Sequence, residues 1–334
     1  MNKSKVKYIV GAYATAPSLG LEDKNKECEF YEKITQCIPE IRGLEIPFWG
    51  DNIHLFGTEF LLKYIQPEWE NVLTCIPASV MSLKKNRHFG IASNNNSGRI
   101  EALEMHKRAN RMVHRINSHF GKESIIAVHI ASAPSMSIPG VSNSIDSLLK
   151  SMHEILSWNW MGARIVIEHC DSCINHNKVE KGFMSINDEI KSLTTLSSDY
   201  NVGLTINWAR SAIEGRSPLT VLKHIKLARE NNLLSGLIFS GTSANDKVYG
   251  VWKDLHMPFA NSFGIKNYES NSLLTKRNIK KTLESFNICE LDYIGFKLLS
   301  MPLIHSSIQR RVGVNQDAAL VLNHIISETR RDSK

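Results

Sequence analysis

The sequence predicts a (β/α)₈ barrel, with the whole of residues 1–334 forming one barrel domain. Three observations carry the prediction. Eight short runs rich in apolar and β-branched residues recur along the chain, each followed by a stretch with helical spacing. Several of those runs are apolar throughout rather than alternating, as strands buried on both faces are. Strand–helix alternation implies a parallel sheet, and eight units imply closure. Length and composition agree, since 334 residues with 42% hydrophobic and 22% charged side chains can bury a large core.

The strands are expected at Val6–Tyr13, Ile41–Phe48, Asn71–Pro77, Ser124–Ala131, Ala163–His169, Val202–Trp208, Leu234–Ser240 and Leu291–Leu298. The helices are expected at Glu27–Ile38, Thr58–Ile65, Gly98–Phe120, Ser144–Leu156, Ile186–Leu196, Leu219–Asn231, Thr275–Phe286 and Gln316–Thr329. The second helix stops before Pro67, because the residue preceding a proline disfavours helical backbone. Ser217-Pro218 opens the sixth as an N-cap followed by proline at the first helical position. Long connections follow the third strand (Ala78–Ser97), the fourth (Ser132–Asn143), the fifth (Cys170–Ser185) and the seventh (Gly241–Leu274). In this architecture they lie on the face that carries function.

Charge and cysteine content narrow the function classes. The net charge is +7, but the basic residues are dispersed and alternate with apolar positions, as on a solvated helix face, so a nucleic-acid partner is not expected. No apolar run approaches the roughly 20 residues that span a bilayer, so a membrane partner is not expected either. Met1 to Ile9 lacks the apolar region of an export signal; the expectation is a cytoplasmic protein with its six cysteines reduced. His169-Cys170-x-x-Cys173-x-x-His176 has zinc-compatible residues. It lacks a second CxxC, and strand alternation sends Glu168 and His169 to opposite faces, so it reads as a loop of reduced cysteines.

Polar residues in the last turn of each strand point into one shared mouth in a parallel barrel. Here Glu45, His129, Glu168, Asn207, Arg210 and Lys297 stand at or just past the ends of otherwise apolar strands. An ionisable group is costly to bury there unless paired or functional, so Glu45, His129, Glu168 and Lys297 are expected to line one pocket. The bland alternative is a salt bridge between Glu45 and Lys297 that only fixes the mouth. Arg210 and Arg216 flank a loop before the Ser217 helix and suit an anionic ligand or a pairing with Glu214. Ser240, in Ser240-Gly241-Thr242, would let a substrate approach the backbone or belong to a plain loop, and Trp49, Trp208 and Trp252 would wall a sugar ring or pack beneath loops.

Four segments carry a resemblance. They are Tyr8-Ile9-Val10-Gly11-Ala12-Tyr13-Ala14, Arg42-Gly43-Leu44-Glu45-Ile46-Pro47, Val166-Ile167-Glu168-His169-Cys170-Asp171, and Ile206-Asn207-Trp208-Ala209-Arg210 continuing to Ser217. They resemble an uncharacterised bacterial family, a domain-of-unknown-function family, classed with the xylose-isomerase-like barrels, over about Tyr8 to Ser300. That superfamily includes sugar isomerases, sugar epimerases, inosose dehydratases and apurinic endonucleases, and usually holds a divalent metal (Mn, Mg or Zn). The resemblance places metal ligands at the ends of the fifth to eighth strands, commonly Glu, Asp, His and Glu. Glu168 matches the first; Asn207, Ser240 and Lys297 stand in place of the other three. A metal, if present, would then be held by Glu168, His129 and Glu45, or Lys297 would take its place, since an ammonium can stabilise an enolate oxygen.

The resulting expectation is a sugar isomerase or epimerase that removes a proton α to a carbonyl. Glu168 would be the general base, its pKa raised by the apolar mouth, with His129 as the second acid/base and Lys297 as the enediolate stabiliser. Glu45, Asn207, Arg210, Arg216, Trp208 and Ser240 would bind the substrate, a small sugar or a sugar acid or phosphate. The alternatives are a carbon–oxygen or carbon–carbon lyase, by β-elimination or by Schiff-base chemistry through Lys297, and a catalytically silent sugar-binding barrel. A homodimer is left open.

Overall fold

The computed structural model describes residues 6–173 and 178–332. Eight parallel strands close in sequence order: β1 (Tyr8–Val10), β2 (Ile41–Pro47), β3 (Asn71–Thr74), β4 (Ile125–Ile130), β5 (Arg164–Glu168), β6 (Val202–Asn207), β7 (Leu234–Phe239) and β8 (Tyr293–Phe296), with β8 pairing back to β1. Among the described residues ten α-helices accompany them: α1 (Lys24–Cys37), α2 (Thr58–Leu62), α3 (Ile76–Lys85), α4 (Asn96–Phe120), α5 (Ile145–Ser157), α6 (Ile186–Leu196), α7 (Trp208–Gly215), α8 (Pro218–Glu230), α9 (Lys276–Glu284) and α10 (Ile308–Asp332). The expected (β/α)₈ architecture is the observed one.

Alternation along each strand divides the side chains between two cores. One set, including Val10, Leu44, Leu73, Val128, Ile167, Ile206 and Phe239, packs under the helices. The other, formed by Ile9, Val72, Ala127, Val166, Ile238 and Tyr293, fills the barrel itself. These are apolar plugs one layer below the polar rim. The barrel is therefore a packed core, and chemistry is confined to the C-terminal strand ends.

The helices start where the sequence supplies caps. Asp23 accepts from the amides of Asn25 and Lys26, Ser144 from Ser147, Ser185 from Asp188 and Thr275 from Asn278. Ser217 caps α8 with Pro218 in its first turn, as predicted. Of the boundaries that differ from expectation, four have a local physical reason. The first strand ends at Val10 because the chain turns into a 3₁₀ segment at Ala12–Ala14. The third ends at Thr74, and the apolar Ile76-Pro77 that seemed to extend it opens α3, where proline suits the first turn. Trp208–Gly215, read as strand end and loop, is α7. Finally, α10 starts at Ile308 rather than Gln316; its Gly313 is not a breaker but a close approach, where a Cβ would sit 2.3 Å from Asn267 Nδ2.

Candidate active site at the barrel mouth

Lys297 follows β8, and its ammonium is the hub of the mouth. Nζ donates to Glu45 Oε1 at 2.6 Å and lies 3.5 Å from Glu168 Oε1. All three side chains are fully buried. The lysine owes its position partly to Gly11 at the end of β1, where a Cβ would meet Lys297 Cβ at 2.8 Å. The mouth thus brings Glu45, His129, Glu168 and Lys297 together, as expected from four strands finishing on one rim.

Glu168 is the most heavily engaged carboxylate. Its Oε1 accepts from Asn207 Nδ2 at 2.9 Å and pairs with Arg210 Nη1 at 2.9 Å. Its Oε2 faces His129 Nδ1 at 3.5 Å. Burial alone would raise the Glu168 pKa, but Arg210, then Lys297 and His129, outweigh it and hold the carboxyl well below its ordinary range. The expectation of a raised pKa is therefore corrected: an apolar mouth would raise it, whereas this mouth supplies two cations within 3.5 Å. Burial would likewise lower the Lys297 pKa, but Glu168 and Glu45 raise it above the ordinary lysine value.

His129 reaches Glu168 from the deeper layer. Its Nε2 is hydrogen-bonded to the Tyr293 hydroxyl at 2.8 Å, and that hydroxyl is 2.5 Å from Thr205 Oγ1. Tyr293 opens β8 and Thr205 stands two residues before the end of β6, so both lie below the rim.

Several further polar groups at the mouth come from segments that sequence reading left unassigned. Asp254, in the β7–α9 connection, accepts from Arg210 Nε and Lys181 Nζ, each at 3.0 Å. Despite burial, which raises it, Lys181 and Arg210 hold its carboxyl well below the ordinary range. His256 bonds Ser240 Oγ at 2.8 Å and lies 3.4 Å from Asp254 Oδ1; burial drives its pKa down to about 3. Among the described residues the rim is a continuous mesh in which three cations (Lys181, Arg210, Lys297) alternate with three carboxylates (Glu45, Glu168, Asp254). Beside it lies a cavity of about 500 Å³ lined by Tyr13, Pro47, Trp49, Asn52, His54 and Met81, among others. Tyr13, which lines that cavity, has its ring 5.9 Å from Lys297 Nζ.

The remaining predicted residues divide. Asn207, Arg210 and Ser240 join the mouth, though Arg210 is spent on two carboxylates rather than free for a ligand. Trp208 is corrected: it is fully buried on α7 and its indole donates to Thr282 Oγ1 of α9 at 3.0 Å, so it walls no sugar. It follows Asn207 by one residue, and alternation turns it to the helix side. Arg216 stands away from the mesh, bonding the carbonyls of Trp252 and Lys178 with its guanidinium 5.5 Å from the Trp252 ring. Glu214 pairs with His169 and His224 behind the barrel wall. Of the cysteine loop, Cys170 is buried and Cys173 exposed; His176 lies outside the described residues.

Three of the mouth groups, Glu45, His129 and Glu168, bring one ligand atom each within 4.8 Å of the others, a spacing a divalent ion could use. The ammonium changes the outcome. With Nζ at 2.6 and 3.5 Å from the two carboxylates, a dication in the same space would repel it by roughly 8 kcal/mol at ~4 Å and an effective dielectric of ~20. The residues present do not fit a divalent metal while Lys297 is charged.

Comparison with known proteins places the chain. The profile of the family described as Domain of unknown function (DUF4862) matches residues 9–314. An uncharacterized protein of Salmonella typhimurium is 32% identical over 330 residues, covering 98% of this chain and all of that one. Among solved structures, an L-ribulose 3-epimerase superposes with a TM-score of 0.59 at 12% identity, covering 98% of both chains. A putative xylose isomerase from Rhodospirillum rubrum gives 0.60 at 8% identity, covering 96% of this chain and 98% of that one. At such identities the likeness is one of fold, the xylose-isomerase-like barrel.

Proposed function

We propose that this chain, which belongs to the DUF4862 family, is a sugar isomerase or epimerase that shifts a proton on the carbon beside a carbonyl. The observation that carries the reading is the ammonium of Lys297, fixed at 2.6 Å from Glu45 and 3.5 Å from Glu168. When the carbon loses its proton, negative charge collects on the former carbonyl oxygen. A preorganised cation in a dry site stabilises that charge without reorganisation. Lys297 does for the enediolate what a metal would do, and the sugar chemistry named for the L-ribulose 3-epimerase of like fold agrees with it.

Glu168 accepts the proton through Oε2, the oxygen not taken by Asn207 and Arg210. At rest it is a weak base, because two cations hold it ionised. Substrate oxygens that draw Lys297 towards themselves weaken that hold and strengthen the base at the moment it is needed. His129 stands behind Oε2 as the second acid/base, and Glu45 keeps the ammonium in place. Arg210, paired with Glu168 and Asp254, holds Glu168 in place rather than meeting the substrate. Since the mesh is buried, access runs from the cavity beside Tyr13, with Trp49 as an apolar wall.

A Schiff base through Lys297 is disfavoured, because two carboxylates keep the amine protonated. The test is solvent-deuterium incorporation, followed by NMR, over a panel of ketoses, aldoses and sugar acids in D₂O. Wild-type protein exchanges the carbon-bound proton of its substrate, and Glu168→Gln slows exchange by roughly 10²–10⁴-fold. Exchange by the variant at the wild-type rate, or binding of a sugar by wild type with no exchange at all, overturns the reading.

A further inference from the structure

Behind the barrel wall, on the opposite side of β5 from Glu168, lies a second buried constellation that the proposed reaction does not use. His169, just past β5, directs Nε2 to Glu214 Oε2 of α7 at 3.3 Å. His224 of α8 directs Nε2 to Glu214 Oε1 at 3.2 Å. The two imidazoles meet edge to face with centroids 4.9 Å apart, and His169, Glu214 and His224 are all buried.

We infer that His169, Glu214 and His224 form a zinc site. Ligands about 2.0–2.1 Å from a tetrahedral zinc stand about 3.3–3.4 Å from one another. The nitrogen–oxygen separations, 3.3 Å from His169 to Oε2 and 3.2 Å from His224 to Oε1, are of that size, and one ligand atom from each of the three residues lies within 4.8 Å of the others. They are long for hydrogen bonds between a buried imidazole and a carboxylate. The outer partners match as well. A zinc-bound histidine donates its other nitrogen to a carboxylate or similar acceptor, which fixes ring and tautomer. His169 Nδ1 is 2.7 Å from Glu189 Oε2, and His224 Nδ1 is 3.0 Å from Ser211 Oγ. Glu189 is itself anchored, accepting from Ser132 Oγ at 2.5 Å.

The outer groups are buried with the ligands: Glu189 and Glu214 face the two imidazoles in a space closed to solvent. A further donor is near: Ser172 donates its backbone N–H to Glu214 Oε2 at 2.7 Å, and its buried hydroxyl has no hydrogen-bond partner among the described residues. The ion would tie β5 to α7 and α8 directly and to α6 through Glu189, bracing the strand that carries Glu168. The zinc-compatible motif of the sequence contributes its first histidine, but not its cysteines, to this set.

The experiment is zinc titration of the full chain followed by desalting and metal analysis. Wild-type protein retains about one equivalent; His224→Gln and Glu214→Gln lose it. Glu189→Gln, which keeps shape and hydrogen bonding, weakens affinity by about 10–100-fold. Glu45→Gln and Glu168→Gln, at the mouth, leave it unaltered. Cobalt in place of zinc gives the intense visible absorption of tetrahedral coordination. A wild-type protein that retains no zinc, or zinc kept by His224→Gln and lost by Glu168→Gln, overturns the assignment. These outcomes are independent of whether the mouth catalyses proton transfer.

Discussion

Replacing Lys297 with methionine keeps most of the side-chain volume and deletes the charge on which the mouth is built. At an effective dielectric of ~20, the distances of 2.6 and 3.5 Å correspond to roughly 6 and roughly 5 kcal/mol of attraction. Desolvation already offsets much of that in the wild type, so the measured loss is the cost of leaving the carboxylates unpaired, about 3–5 kcal/mol. Unfolding entropy scales to roughly 0.7 kcal/mol/K for a chain of 334 residues, so Tm falls by about 4–7 °C. The stronger expectation concerns what restores it. Without the ammonium, Glu45, His129 and Glu168 keep their ligand atoms within 4.8 Å and face no cation except Arg210 among the described neighbours of Glu168. Manganese should then bind the variant with one equivalent more than the wild type and recover most of the lost Tm. The assay is a thermal melt with and without manganese, beside metal analysis. A variant as stable as wild type without metal, or one that manganese does not stabilise, refutes the claim that Lys297 supplies the mouth's missing positive charge.

Two further outcomes follow from buried groups outside the mouth. Burial drives the His106 pKa down to about 4, so the folded state resists its protonation while the unfolded state takes a proton near 6.5. The unfolded chain therefore binds more protons between these values, and stability falls as pH drops from about 6.5 towards 4; His106→Phe should flatten that slope in chemical denaturation at successive pH values. Trp208→Phe deletes the indole bond to Thr282 at 3.0 Å and should cost about 1 kcal/mol of stability while leaving the KM for the sugar unaltered. A raised KM would return Trp208 to the site.

What could be read from the sequence follows from where each group sits. Strands buried on both faces announce themselves as apolar runs, so all eight were legible, and Glu45, His129 and Glu168 within them and Lys297 just past β8 came with them. The helix α7 was not legible because Trp208-Ala209 continues the apolar run of β6 without a break. Its one signal was Asn207, a good N-cap residue, whose side chain accepts from the Arg210 amide. Asp254, His256 and Lys181 reach the rim from connections with no periodicity, so no pattern ties them to a strand end. The sign of the Glu168 shift failed for the same reason. It depends on Arg210 turning inward from the first turn of a helix that the sequence hid.

Asn207 has one amide and two obligations. Its oxygen accepts from the Arg210 N–H at 3.4 Å to begin α7, and its nitrogen donates to Glu168 Oε1 at 2.9 Å. Neither contact survives if the amide is turned over, so the start of a helix dictates which way a hydrogen-bond donor faces in the barrel mouth. An aspartate at 207 would begin the helix equally well but set a second anion against Glu168, a conflict that only an added cation could relieve. Helix geometry and rim chemistry are therefore coupled through a single side chain, and neither can drift without the other.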